Sequence, residues 1–164
     1  MKMAEEGFSS IEILIVVGAA FLIAASAATA GKKFLMEAVV EHETACLVSD
    51  LRWVQEHCRT AVYQSRKIPN AYPASADDYT VRIRGREYEV RGRGFKAFKG
   101  WKHVCPQSVL LVAPAREGGI GFDVNGAAQK MLTIQVLCTM GKDSAKRYII
   151  IDAAGRIRVD RKPP

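Results

Sequence analysis

The chain has 164 residues, 49% of them hydrophobic, and a formal charge of +7. That length fits one apolar segment plus one domain of ordinary size, about 100 to 150 residues, and leaves no room for a second such domain. The charge is uneven: residues 1–78 carry 7 basic and 10 acidic side chains, a balance of −3, whereas the remainder carries +10. Enzyme signatures are missing, since there is no Gly-x-Ser-x-Gly elbow and Gly141-Lys142 lacks the upstream glycine of a phosphate loop. There is no internal repeat and no low-complexity tract.

The chain opens with Gly7-Phe8-Ser9-Ser10-Ile11-Glu12, followed by an uncharged apolar run from Ile13 to Ala30. A helix from Phe8 to Ala30 is about 34 Å long, enough to cross the roughly 30 Å hydrocarbon layer of a bilayer. One acid, Glu12, sits near its start, and a carboxylate at membrane depth calls for a cationic partner. This stretch resembles the N-terminus of type IV pilins and of the pseudopilins of type II secretion. The resemblance implies cleavage by a prepilin peptidase between Gly7 and Phe8 and methylation of the new amine. It also implies a role in assembly for Glu12, fifth in the mature chain, whose carboxylate pairs with the N-terminal amine of a neighbouring subunit. A local reading stands beside this one: Ser9 and Glu12 have the S-x-x-E spacing of a capping box. Two features depart from the family pattern. The leader has only Lys2 against Glu5 and Glu6, with Lys32 and Lys33 on the far side, and Thr29 stands where many pilins carry a proline. The expected organisation is a leader at 1–7, a transmembrane half-helix at 8–30 and an extracytoplasmic pilin-like domain at 31–164.

Beyond Gly31 the pattern predicts an amphipathic continuation. Val40, Leu47, Leu51, Val54, Cys58 and Ala61 recur on one helical face, while Glu37, Glu41, Glu43, Asp50, Arg52, Glu56 and Arg59 fall mostly off it. Pro69 places the end of the helix near Lys67. From Tyr79 the period becomes two: Tyr79, Val81 and Ile83 alternate with Thr80, Arg82 and Arg84, and Tyr88 and Val90 with Glu87, Glu89 and Arg91 after Gly85-Arg86, which reads as a hairpin. Further strands are expected in Val109 to Ala113, Ile120 to Val124, Met131 to Cys138, Tyr148 to Asp152 and Ile157 to Val159. Turns fall at Asn125-Gly126 and Ala154-Gly155, and loops around Gly92 to Gly100 and Gly141 to Ala145. One long helix followed only by strands predicts an α+β domain with an antiparallel sheet laid on the helix.

The C-terminal run Asp152-Ala153-Ala154-Gly155-Arg156-Ile157-Arg158-Val159 is similar to that of the GspH and FimT group of minor pilins, whose Gly-Arg-x-Arg signature is matched by Gly155, Arg156 and Arg158. The resemblance implies a structural assembly subunit of a secretion or pilus system, not an enzyme and without a cofactor. Its partners would be other pilins or pseudopilins, prepilin peptidase and the membrane. The competence branch of the group implies an alternative, capture of double-stranded DNA for uptake. Residues for that alternative are Arg156, Arg158, Arg161 and Lys162 in the tail, with Lys96, Lys99 and Lys102 interleaved with Phe95, Phe98 and Trp101, because cations and aromatics suit phosphate contact and base stacking. The competing account pairs Arg82, Arg84 and Arg91 with Glu87 and Glu89 across strands, and the tail arginines with Asp152 and Asp160.

Four cysteines remain. Cys46 and Cys58 on one helix lie about 18 Å apart, too far for a disulfide, so bridges would join each to Cys105 or Cys138, with a buried free thiol at Cys58 as the alternative. A metal site from His42 and Cys46 with His103 and Cys105 is weighed against ordinary helix and loop roles, and the latter are preferred, so no metal is expected.

Overall fold

A computed structural model describes residues 10–65, 79–92, 100–114 and 119–163. The chain divides into two compact units, Met1–Leu35 and Met36–Pro164. Helix α1 (Ser10–Ser65) supplies the described part of the first and enters the second. In the first unit Ile11, Ile13, Leu14, Ile15, Val16, Val17, Phe21, Leu22 and Ile23 are all exposed, and the helix passes through Gly18 and Gly31 without interruption. By length and composition this is a helix able to cross a membrane, and among the described residues it is the only one.

In the second unit the expected stripe is the buried one. Val40, Leu47, Leu51 and Val54 are fully buried and Cys58 nearly so, joined by Met36 and Val48. Each such Leu contributes about 1.5–3 kcal/mol through the apolar area it removes from water. The helix ends at Ser65, and Lys67 and Pro69 lie outside the described residues.

Among the described residues eight strands follow, β1 (Tyr79–Arg84), β2 (Glu87–Gly92), β3 (Trp101–Val104), β4 (Val109–Val112), β5 (Ile120–Gly121), β6 (Leu132–Met140), β7 (Asp143–Ile151) and β8 (Ile157–Asp160). They form two antiparallel sheets, ordered β3-β2-β1-β5 and β4-β6-β7-β8, where the sequence led to one. Alternation along the strands sets the inner face: Tyr79, Val81, Tyr88 and Val90 from the first sheet, and Val109, Leu111, Ile134, Val136, Cys138, Ile149 and Ile151 from the second, are buried with the helical stripe in one core. The expected hairpin is present, with Arg84 opposite Glu87 around Gly85-Arg86.

One strand is added where the sequence pattern assigns no element, and two expectations change. Trp101–Val104 is a strand, paired with β2 at the sheet edge; its Lys and His dilute the apolar signal, and it follows directly on a basic stretch that reads as loop. Gly141 to Ala145 is not a loop, because Met140 pairs with Asp143 and a two-residue turn carries the chain straight into β7. The strand at Ile120 stops at Gly121, since the Asp123 carboxylate accepts from the amides of Asn125 and Ala127 and bends the chain into a turn. At the second turn, Gly155 N donates to the Asp152 carbonyl at 2.9 Å and the Asp152 carboxylate accepts from Arg156 N at 2.9 Å.

Candidate functional site

Gly7 and Phe8 lie outside the described residues, as does Ser9, so the capping box falls there too. Glu12 stands in the first turn of α1, exposed among exposed apolar side chains.

The basic residues of the C-terminal half separate. Lys96 and Lys99 lie outside the described residues. Lys102 on β3 is bound to Glu87 at 2.6 Å, and Arg91 to Glu89 at 2.7 Å along its own strand. Register sets Arg82 opposite Glu89 and Arg84 opposite Glu87, but the carboxylates turn to Lys102 and Arg91 instead. These pairs are half-exposed and each contributes about 0–1 kcal/mol, so the strand face is a solvated ion-pair surface. Arg161 and Lys162 are exposed, and their amides donate to the Asp160 carboxylate. Arg158 is exposed on β8, opposite Ile150.

Arg156 has company that its sequence position does not reveal. It lines an open groove with Arg52, Gln55 and Arg59 of α1 and with Ala154, Gly155 and Ile157 of the β7–β8 turn. Gln55 fixes the turn against the helix, its Nε2 donating to the carbonyls of Gly126 at 2.6 Å and Gly155 at 2.8 Å. Arg59 donates through Nε to the Asn125 carbonyl at 3.2 Å and pairs with Glu56 at 3.2 Å, and Arg156 pairs with Asp152 at 3.3 Å. Three arginines thus line one open concavity, with Glu56 and Asp152 as ion-pair partners of two of them. Such a surface accepts phosphate or carboxylate oxygens.

Cys46, Cys58, Cys105 and Cys138 are all free thiols in this structure, so of the alternatives the sequence leaves open it has the buried free thiol at Cys58 and neither bridge to Cys105 or Cys138. Cys138 is buried on β6 opposite Ala145, and Cys58 is buried in the helical stripe. Cys105, directly after β3, is pushed up to about 12 by burial and by a hydrogen bond to Glu43, and Cys46 is raised by burial and by the charges of Glu43 and Asp50. Thiols held protonated in this way are poor nucleophiles for bridge formation.

Around them lies a polar cluster on the core side of the first sheet. Glu43 is only 4% exposed, and its carboxylate is 2.8 Å from His103 Nε2. The Cys105 sulfur joins them, and the three donor atoms all lie within 4.8 Å of one another. Asp50, two turns further along α1, accepts from the Tyr88 hydroxyl at 2.7 Å and from Trp101 Nε1 at 3.3 Å. The Tyr88 ring in turn lies 4.9 Å from that of His103. The weighed metal set is therefore split. His42 and Cys46 face each other along the helix at 3.7 Å, whereas His103 and Cys105 converge on Glu43. The helical pattern sets Glu43 among the charged residues that fall mostly off the apolar face, yet it lies three residues after Val40 and four before Leu47, on the stripe itself.

Comparison of the chain with protein-family models, with curated proteins and with solved structures finds no match.

Proposed function

We propose that this chain is a minor pilin or pseudopilin, a structural subunit anchored by its N-terminal helix in the inner (cytoplasmic) membrane, with its C-terminal domain extracytoplasmic, and built into the fibre of a type II secretion or type IV pilus system. The observation that carries the reading is the two-solvent helix. One end of α1 exposes a continuous apolar surface with Glu12 in its first turn, and the other buries its stripe in a core shared with two antiparallel sheets. A helix destined only for a soluble core has no use for that exposed end. The role needs no cofactor, and we assign the chain no catalytic function. Its partners are prepilin peptidase, which removes residues 1–7, and other pilins or pseudopilins, which accept Glu12.

Intact-mass measurement on the membrane-extracted chain from cells with active prepilin peptidase tests this reading. A chain starting at Phe8, heavier by one methyl group, is expected. An intact leader overturns the reading.

A second reading has its own observation. The groove formed by Arg52, Arg59 and Arg156 favours a minor pilin that holds the phosphates of double-stranded DNA during uptake. Here the residues of the Gly155-Arg156-x-Arg158 signature act together with two arginines of the helix.

A further inference from the structure

Glu43 poses a specific physical problem. It is buried, and its hydrogen-bonding neighbours are a histidine and a thiol, neither of which carries a fixed positive charge. A buried carboxylate is costly unless a cation faces it, and His103, its ion-pair neighbour at 2.8 Å, is a cation only when protonated. Its donors come from two places that the fold brings together. Glu43 projects from α1, while His103 and Cys105 stand two apart at the end of β3, a spacing that turns both side chains to one face as Val104 points to solvent, 60% exposed.

The donor set is one carboxylate oxygen, one imidazole nitrogen and one sulfur, the mixture that a borderline-soft, tetrahedral ion accepts and that Mg²⁺ or Ca²⁺ does not favour. Bonds of 2.0–2.3 Å in a tetrahedron separate donors by about 3.3–3.8 Å. His103 Nε2 and the Glu43 carboxylate, 2.8 Å apart, lie closer than that, and all three donor atoms fall within 4.8 Å of one another, so an ion entering the cluster would push His103 and Glu43 slightly apart. The His103 side chain is 31% exposed, which provides an entry path and a solvent molecule for the fourth position.

We propose that Glu43, His103 and Cys105 bind a Zn²⁺ ion that ties the helix to the edge strand of the first sheet. Binding is redox-neutral: the Cys105 thiol passes its proton to solvent, the thiolate joins the metal, and the ion places a fixed positive charge beside Glu43. Four free thiols then have a structural use for one of their number without a disulfide. The inference is independent of the pilin reading.

Co²⁺ is the probe, titrated into the reduced full-length chain in detergent. One equivalent is expected to bind with the visible bands of a tetrahedral site and a near-ultraviolet thiolate charge-transfer band, and to be displaced by Zn²⁺. His42 and Cys46 form the competing site, so the two thiols must be separated. The charge-transfer band should disappear in Cys105→Ser and persist in Cys46→Ser. Should Cys105→Ser fail to fold, His103→Gln, at a half-exposed ligand, is expected to weaken Co²⁺ affinity at least about tenfold with the far-ultraviolet circular dichroism unchanged. Three results overturn the proposal: no Co²⁺ bound by the reduced chain at micromolar concentration, a thiolate band that follows Cys46 rather than Cys105, or His103→Gln with undiminished affinity.

Discussion

Gln55 donates a hydrogen bond to the backbone carbonyl of Gly155 at 2.8 Å, joining residues 100 positions apart in the chain. The same amide nitrogen holds the Gly126 carbonyl, so one side chain on the helix positions two turns. Gln55→Ala leaves both carbonyls short of a donor and is expected to cost about 1–3 kcal/mol, read from urea unfolding of the purified chain in detergent. Gly155 is the more severe test. Its φ is +79°, and an added Cβ would collide with the Gly126 carbonyl oxygen, a backbone atom with no freedom to yield. Gly155→Ala should therefore cost more than Gln55→Ala. Gly126→Ala, at φ +81°, meets first the end of the Arg59 side chain, which can swing aside, and should cost less than Gly155→Ala. Equal losses at the two glycines would contradict this packing.

Glu12 gives the second prediction, which rests on the proposed function. Glu12→Ala removes the only charge between Ser10 and Gly31, so helix formation and peptidase cleavage should be unaffected while the neighbour's amine loses its counter-charge in lipid. Incorporation into the fibre, scored by immunoblot of sheared fibres against whole cells, is expected to fall at least about tenfold. Incorporation at the wild-type level would remove Glu12 from assembly.

Much of this arrangement is legible in the sequence because it depends on period. The stripe from Val40 to Cys58 and the hairpin around Gly85-Arg86 follow from residues close in the chain, and the structure has both. Division of the strands into two sheets does not follow, since alternation specifies a buried face and not the neighbour that supplies the hydrogen bonds. The Glu43 cluster and the arginine groove are hidden for a related reason. Each joins helix residues to residues at least about fifty positions away, and their chemistry exists only once α1 is laid against the sheets. Glu43 alone carried a local hint, an acid on an apolar stripe.

Tyr88 provides a pH test. Burial, and then the hydrogen bond to Asp50, raise the Tyr88 hydroxyl above its ordinary value near 10. The folded state therefore holds this proton more tightly than the unfolded state, so the contribution is complete below about pH 10 and is lost as pH rises beyond it. Tyr88→Phe removes this dependence while costing about 1–3 kcal/mol at neutral pH, as Asp50 keeps only Trp101 Nε1 as a side-chain donor. Urea midpoints between pH 8 and 11 should fall more steeply for the wild type than for Tyr88→Phe. Parallel curves would show that Tyr88 ionises in the folded protein as it does in water.

The arginine groove carries the last prediction, which tests the DNA reading against assembly alone. Arg52, Arg59 and Arg156 converge, and Arg158 follows on β8, whereas Lys102 is already engaged by Glu87. Binding of double-stranded DNA should be weak and insensitive to sequence, because the arginines of the groove offer phosphate contacts, which carry no sequence information. Each neutralised phosphate contributes about −0.9 to the slope of log affinity against log salt. Arg156→Gln with Arg158→Gln should therefore flatten the slope by up to about two units. Arg52→Gln with Arg59→Gln should flatten it similarly if the groove and not the tail is the site, while Arg161→Gln with Lys162→Gln should leave it nearly unchanged. The partial neutralisation of Arg59 by Glu56 and of Arg156 by Asp152 does not remove the effect, since both arginines are exposed and such pairs exchange readily for phosphate. Fluorescence anisotropy across a salt series, with circular dichroism to verify each fold, decides among these outcomes. Absence of binding at about 50 mM salt, or a slope that follows Arg161 and Lys162 alone, would leave the groove as a docking surface for the acidic face of a neighbouring subunit.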